Sequence, residues 1–513
     1  MKLKLSTSIL ALCLSVSAAQ AYDLTIAVAH LPNTLDPVME NSNVSQRIIY
    51  NLFDTLVKVD YRDGGKLVSG LADSWEIIDA KTIEFTLKKG VHFHDGTEMT
   101  AKDILFTFSP LRLGHDNVAI GGSGTVVSKP FIGGIEKVEA IDEYTVRISM
   151  KDDDALIIHR FANYPSQIVS KSAFEAAGSY EEFALHIVGT GPYKFSNLTL
   201  DDHVIIEKFD NYYGDNKAAA DKVTFTVVPE ISTRIAGLRA GQFDMITEVT
   251  PDHIEEIDKA ENASIAGGPI LNIRGLVYDS TNEIIGDPRI REALNLAIDR
   301  ETLAQALYQN HTSVPHGWQM QVFGKMYLAD RPIPEFNIEK AQKLLKEAGY
   351  NGEEIVYRTQ NSYYTSQIET AQILVAMWKK AGLNVKLAVK ENWGQVTEDN
   401  ETRHIFDASF TAYYPDPMGQ FWRRFGPTGG WAQNDVYINT EEMIVLGKTL
   451  ATETDTAIRR DVFTTMLDKF ETNPRGAVLH ELTQIYGVRK GLTYSPLSTS
   501  YMDFTTAGVS VEK

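Results

Sequence analysis

The chain has 513 residues, 43% hydrophobic and 23% charged, which is enough for two or three packed domains and excludes a disordered or fibrous protein. Its 49 basic and 68 acidic residues give a formal charge of −19 with no basic run, which excludes a nucleic-acid partner that would need a cationic face. Its one cysteine, Cys13, excludes a disulfide framework.

The first elements are those of an export leader. Met1 to Lys4 is cationic, Ile9 to Val16 is an apolar run too short to span a bilayer, and Ala19-Gln20-Ala21 is a small-x-small cleavage site. A signal peptide is therefore expected over residues 1–21, with a periplasmic mature chain starting at Tyr22. Leu12, just before Cys13, is too bulky for lipoprotein processing. Loss of Lys2 and Lys4 leaves 47 basic against 68 acidic residues, a charge of −21, and a mature chain without cysteine is held together by burial alone.

Strand-like alternation follows at Ile83, Phe85 and Leu87, at Tyr144, Val146, Ile148 and Met150, and at Val223, Phe225 and Val227. Asp287 before Pro288 starts a helix with Ile290, Ala293, Leu294, Ala297 and Ile298 on one face. Asn337 starts another, which buries Ile338, Ala341, Leu344, Leu345 and Ala348 and stops at Gly349. A strand at 354–359, a helix from about 366 to 381 closed by Gly382, and a strand alternating from Leu383 to Val389 make a crossover unit of a mainly parallel sheet. The fold class is α/β.

Ligands of open α/β sheets bind outside the carboxyl ends of the strands. Three segments occupy such ends: 360–364 with Tyr363 and Tyr364, 391–393 with Trp393, and Tyr413 to Trp422 after the apolar 405–411. In "TAYYPDPMGQFWRRFG", 411–426, Tyr414 and Trp422 offer flat faces, Tyr413 a hydroxyl, Asp416 a carboxylate, and Arg423 or Arg424 a planar fork suited to carboxylate or phosphate. Adjacent arginines on an extended segment point to opposite sides, so at most one of the two is expected to face the crevice, the other being a solvated or lobe-packing residue. The competing reading is a loop that buries its own rings.

Motifs that would indicate an enzyme or a metal are incomplete. "HFHDG" places His92 and His94 on one side of a strand ending in an Asp-Gly turn, and "HELTQ" has Gln484 where a zinc protease needs its second histidine. "GTGPY" at 189–193 lacks the lysine of a phosphate loop, and "GGSG" at 121–124 lacks the flanks of a nucleophile elbow. No cofactor, metal or catalytic residue is assigned, although a carboxylate pair for glycoside hydrolysis has no sequence signature by which to exclude it.

Nine segments occur in a recognisable order: "NLFDTLV" (51–57), "LADSWE" (71–76), "TIEFTLKKGVHFHDGTEMTAKDILFTF" (82–108), "VGTGPYKF" (188–195), "NYYG" (211–214), "LRAGQFDM" (238–245), "DPRIREALNLAIDR" (287–300), "AQKLLKEAGY" (341–350) and "MWKKAGLNVKL" (377–387). Through them nearly the whole mature sequence resembles the peptide, nickel and opine group (family 5, cluster C) of extracytoplasmic solute-binding proteins that feed ABC importers. The resemblance implies two lobes joined by a hinge, with lobe I over 22–52, 183–267 and 478–513, an extra α+β domain over 53–182, and lobe II over 268–477. It implies a non-enzymatic, monomeric receptor that encloses a small ligand and presents it to a membrane permease, with "HFHDG" a strand and turn of the extra domain.

In peptide-binding members the loop matching "AYYPDP" reads A-D-Y-x-[DE]-P, and its first acidic residue holds the ligand's amino group. Tyr413 stands at that position here, followed by Tyr414 and by Asp416-Pro417. A tyrosine does not neutralise a buried ammonium. The loop therefore suits an opine, a sugar or a sugar conjugate, whereas a shift in alignment would give Asp416 the amine-binding role and restore a peptide.

Overall fold

The computed structural model describes residues 22–511 except 40, 41, 115, 118–121, 310 and 362, so the leader 1–21, Gly121 and Ser362 lie outside the described residues. Ten strands form one sheet, in the order Tyr193–Thr199, His203–Lys208, Lys222–Val227, Asp23–Val28, Met245–Ile246, Gly476–Arg489, Ala263–Tyr278, Ile405–Thr411, Ile355–Thr359 and Val385–Val389. The two longest, Ala263–Tyr278 and Gly476–Arg489, run antiparallel through the middle. Near Val488 the latter pairs with Met245–Ile246, on the side of Asp23–Val28 that we call the first lobe. At their other ends Asn272–Tyr278 pairs with Ile405–Thr411, which leads to Ile355–Thr359 in the second lobe.

The ladder between the long strands is broken between Pro269 and Ile273. Gly267 just before the break has φ 104°, and a Cβ there would lie 2.1 Å from the carbonyl oxygen of Gln484, so glycine is required by conformation and by space. The strand thus passes from one half of the sheet to the other through an interrupted ladder, which is where a hinge between them is expected.

In the second lobe, Ile355–Thr359 pairs in parallel with both Val385–Val389 and Ile405–Thr411, and helix Gln367–Lys380 makes the crossover. Trp378 of that helix is buried and its indole N–H donates to the Leu294 carbonyl at 2.9 Å. The caps read in the sequence are present: Asp287 accepts from Arg289 N–H, and Asn337 from Lys340 N–H, at the starts of helices Pro288–Leu296 and Ile338–Ala348. Gly349 closes the second helix at φ 75°.

A separate four-stranded sheet, ordered Ala72–Asp79, Thr82–Leu87, Thr145–Met150, Ile135–Asp142, turns Ile83, Phe85, Val146 and Ile148 into a common core. "HFHDG" follows it, and its two imidazoles have different partners. His94 Nε2 donates to the Gly191 carbonyl at 3.1 Å while its Nδ1 accepts from Gly189 N–H at 3.3 Å, and burial depresses its pKa to about 4. His92 Nδ1 instead lies 3.0 Å from the Gly90 carbonyl. Asp95 ends the motif as a turn residue, accepting from Thr97 N–H at 2.9 Å.

Candidate functional site

The second-lobe wall of the cleft begins at Asp407 on strand Ile405–Thr411. Its buried carboxylate accepts from Tyr357 and Thr359, from Gln367 Nε2 at 2.9 Å, and pairs with Arg274 at 2.7 Å. Gln367 uses its other end to accept from the backbone N–H groups of Tyr363 and Tyr364, at 2.8 and 3.1 Å, which fixes the loop that carries those rings. The Arg274 guanidinium in turn lies 3.9 Å from the centre of the Tyr364 ring. Tyr363, Tyr364 and Trp393 interlock edge to face, with centroids 4.8 to 5.9 Å apart.

Tyr413 enters this wall from the end of the same strand. Its hydroxyl accepts from Gln46 Nε2 of the first lobe at 2.7 Å, its carbonyl accepts from the Tyr61 hydroxyl at 3.3 Å, and its ring packs against Phe131 and Tyr164. Asn43 N–H likewise donates across the cleft to the Tyr363 hydroxyl at 3.1 Å. The walls enclose a cavity of about 490 Å³, within the range of small-molecule sites.

Both Arg423 and Arg424 line it. The sequence reading of an extended segment with at most one arginine inward is corrected here, because Phe421–Phe425 forms a helical turn on which neighbours diverge by about 100° rather than 180°. Arg423 is 5% exposed, with its guanidinium 4.7 Å from the Tyr413 ring centre and 5.2 Å from that of Phe131. Its Nε and Nη2 have no hydrogen-bond partner among the described residues, nor does Nε of Arg424, whose guanidinium lies 4.9 Å from the Trp431 ring. Burial, and then the charge of Arg424, lower the Arg423 pKa to about 10. Among the described residues Asp407 is the one acidic residue in the lining and is already paired with Arg274, so among them no second carboxylate compensates the two arginines.

Three other expected contacts lie elsewhere. Tyr414 is buried away from the cavity, its hydroxyl accepting from Arg160 at 3.3 Å and its ring beside His159. Asp416 receives both Nη groups of Arg459, at 2.8 and 2.9 Å, and caps the turn Pro417–Gly419 through Met418 N–H, so it holds the loop's shape rather than an amine. Trp422 fills the notch left by Gly447 in helix Glu441–Thr452, where a Cβ would come within 1.9 Å of its ring. Tyr363, Tyr364, Trp393, Tyr413, Arg423 and Arg424 of the sequence reading line this cavity, and much of the remaining wall escaped that reading. Gln46, Phe131 and Tyr164 carry no local motif, and only the fold brings them to Tyr413.

The family profile "Bacterial extracellular solute-binding proteins, family 5 Middle" matches residues 66–432. This chain belongs to that family. As a family 5 solute-binding protein it captures a small ligand for an ABC importer and is not an enzyme. It is 26% identical to the glutathione-binding protein GsiB of Pectobacterium atrosepticum, over 77% of this chain and 74% of that one. The fold of this family 5 protein is similar to that of the periplasmic binding protein DppA from Helicobacter pylori in complex with peptide STSA, with a TM-score of 0.85 at 23% identity over 96% of this chain and 99% of that one. It is also similar to that of AgaA from A. tumefaciens R10 in complex with agropinic acid, with a TM-score of 0.80 at 23% identity over the same shares. Among the described residues no helix is long and apolar enough to cross a membrane.

Proposed function

We propose that this receptor binds a small acidic ligand, peptide-like or opine-like, whose carboxylate is held by Arg423 inside the closed cleft. The observation that carries this reading is the Arg423 guanidinium, buried against Tyr413 and Phe131 with two nitrogens unpartnered, and no free carboxylate in the lining, among the described residues. A buried charge without a partner costs several kcal/mol, on the order that a charge-assisted bond to a ligand would offset. Tyr413, a neutral hydroxyl in place of an acid, provides no counter-charge for a ligand ammonium. The relatives named for glutathione, for peptide STSA and for agropinic acid all take carboxylate-bearing compounds. A neutral sugar would leave Arg423 uncompensated, which makes it the weaker reading.

On this reading 22–52, 183–267 and 478–513 form lobe I, 53–182 the extra domain and 268–477 lobe II, with Tyr363, Tyr364, Trp393, Tyr413, Arg423 and Arg424 as the second-lobe contacts. The protein is exported through its leader to the periplasm and works as a monomer that docks on permease subunits. Mass spectrometry of ligand released from purified protein, followed by calorimetry of that compound against wild type and Arg423→Ala, tests the proposal. Recovery of a compound without an acidic group, or unchanged affinity in the variant, would overturn it.

A further inference from the structure

The cavity described above holds more positive charge than one carboxylate can balance. Arg423 and Arg424 are adjacent on one helical turn, both line the same 490 Å³ space, and Nε and Nη2 of Arg423 and Nε of Arg424 have no partner among the described residues. The single acidic lining residue among the described residues, Asp407, is consumed by Arg274 and three hydrogen-bond donors. Neither arginine can relieve the other. Rings lie against each guanidinium, Tyr413 and Phe131 for Arg423 and Trp431 for Arg424, which leaves the edges, where a fork pairs with an anion. Two like charges held side by side repel; one negative charge between them leaves a net positive charge, and a second negative charge neutralises the pair and roughly doubles the attraction. The effect is visible on Arg423, whose pKa the Arg424 charge lowers further.

We infer that Arg423 and Arg424 act as a single two-charge reader, so that the ligand presents a dianionic head, either two carboxylates or a phosphate monoester, in preference to a single carboxylate. This rests on the proposal that the cavity holds an acidic ligand and specifies its charge. Arg424 is then a specificity-determining residue, which sets the difference between a dianion and a monoanion of the same shape.

The test is calorimetry of the full mature protein with three probes. N-acetyl-L-glutamate carries two carboxylates, N-acetyl-L-glutamine replaces one by a neutral amide of nearly equal size, and glycerol 3-phosphate carries the alternative dianion. The expected result is that one of the dianions binds at least tenfold more tightly than N-acetyl-L-glutamine, and which one does so identifies the head. Arg424→Gln should reduce that preference to less than threefold, while Arg424→Lys, which keeps the charge, retains most of it. Equal affinities for the acid and its amide with no preference for the phosphate, a preference that survives Arg424→Gln, or no heat from any probe at millimolar concentration would each overturn the inference. The wild-type panel decides the matter even if Arg424→Gln fails to fold. Failure of the underlying proposal reads differently, because then Arg423→Ala would leave the binding of every acid unchanged, whereas here N-acetyl-L-glutamine would still depend on Arg423.

Discussion

Gln46 Nε2 donates a 2.7 Å hydrogen bond to the Tyr413 hydroxyl, joining residues 367 positions apart in the chain. Gln46 belongs to helix Asn43–Ile49 in the first lobe and Tyr413 follows strand Ile405–Thr411 in the second, so the bond bridges the two walls. A neutral hydrogen bond of this kind contributes about 0.5–1.5 kcal/mol net. Gln46→Leu should therefore weaken binding of the released native ligand by roughly two- to tenfold. Tyr413→Phe should lose a similar amount and the double variant little more, as in a coupled pair. Calorimetry of the three variants checks this, and unchanged affinity in both single variants would show that the bond adds nothing to closure.

Arg423 should show opposite signs in binding and stability. Arg423→Gln removes a charge-assisted bond, so ligand affinity should fall by about 1.5–3 kcal/mol, roughly ten- to more than a hundredfold. The same change removes a buried guanidinium whose Nε and Nη2 lack partners, so the melting temperature of the ligand-free protein should stay level or rise. Calorimetric binding and thermal melting on one preparation separate the two effects. A variant that loses stability and affinity together would assign Arg423 to the structural framework.

What could be read from sequence divides by the range over which each feature is determined. The helix from Asn337 to Gly349 was legible because its cap, apolar face and left-handed stop are all local. The parallel unit around helix Gln367–Lys380 was legible because strand and helix periods alternate at crossover spacing. The backbone that carries Arg423, Arg424 and Trp422 was misread as extended because five residues between Gln420 and Gly426 carry too little pattern to separate a helical turn from an extended loop. Whether a tyrosine faces a ligand or a neighbouring domain depends on residues far away: Tyr414 turns to Arg160 and His159, and nothing near position 414 encodes that choice.

Asp416 offers a sharp discrimination between a structural and an amine-binding carboxylate. Its side chain and that of Arg459 are both nearly inaccessible and bonded through two nitrogens. Asp416→Asn should leave Arg459 uncompensated and cost about 3–5 kcal/mol of folding stability. Affinity of the folded variant for the ligand should change less than about twofold, below 0.5 kcal/mol. Urea melts and calorimetry give the two numbers. A stable variant with strongly reduced affinity would return Asp416 to the role of ligand contact.

Closure is predicted to depend on pH through His159. It lies where residues 154–164 meet the second lobe, its ring 5.3 Å from that of Tyr414, with Asp154, Arg160, Asp416 and Arg459 as the surrounding charges. The facing Ala155 N–H also crosses this contact, to the Ala451 carbonyl at 2.8 Å. Burial is the main cause that lowers the His159 pKa from 6.5 to about 4, against the pull of Asp416, and its Nδ1 has no partner among the described residues. Because the pKa of the packed form lies below that of an exposed imidazole, the open form takes up the proton first as pH falls. The contribution to closure is complete above pH 6.5, declines as pH drops, and is exhausted near pH 4. At pH 5 the loss amounts to about 2 kcal/mol, roughly thirtyfold in the closed-to-open ratio. Small-angle scattering with saturating ligand at pH 7.5 and the same experiment at pH 5 should show a more compact particle at the higher pH. His159→Gln, which does not titrate, should remove that difference, whereas His94→Gln should not, since the His94 partners Gly189 and Gly191 lie away from the interface with the second lobe. Equal pH dependence in wild type and His159→Gln would transfer the effect to other groups and leave His159 as a packing residue.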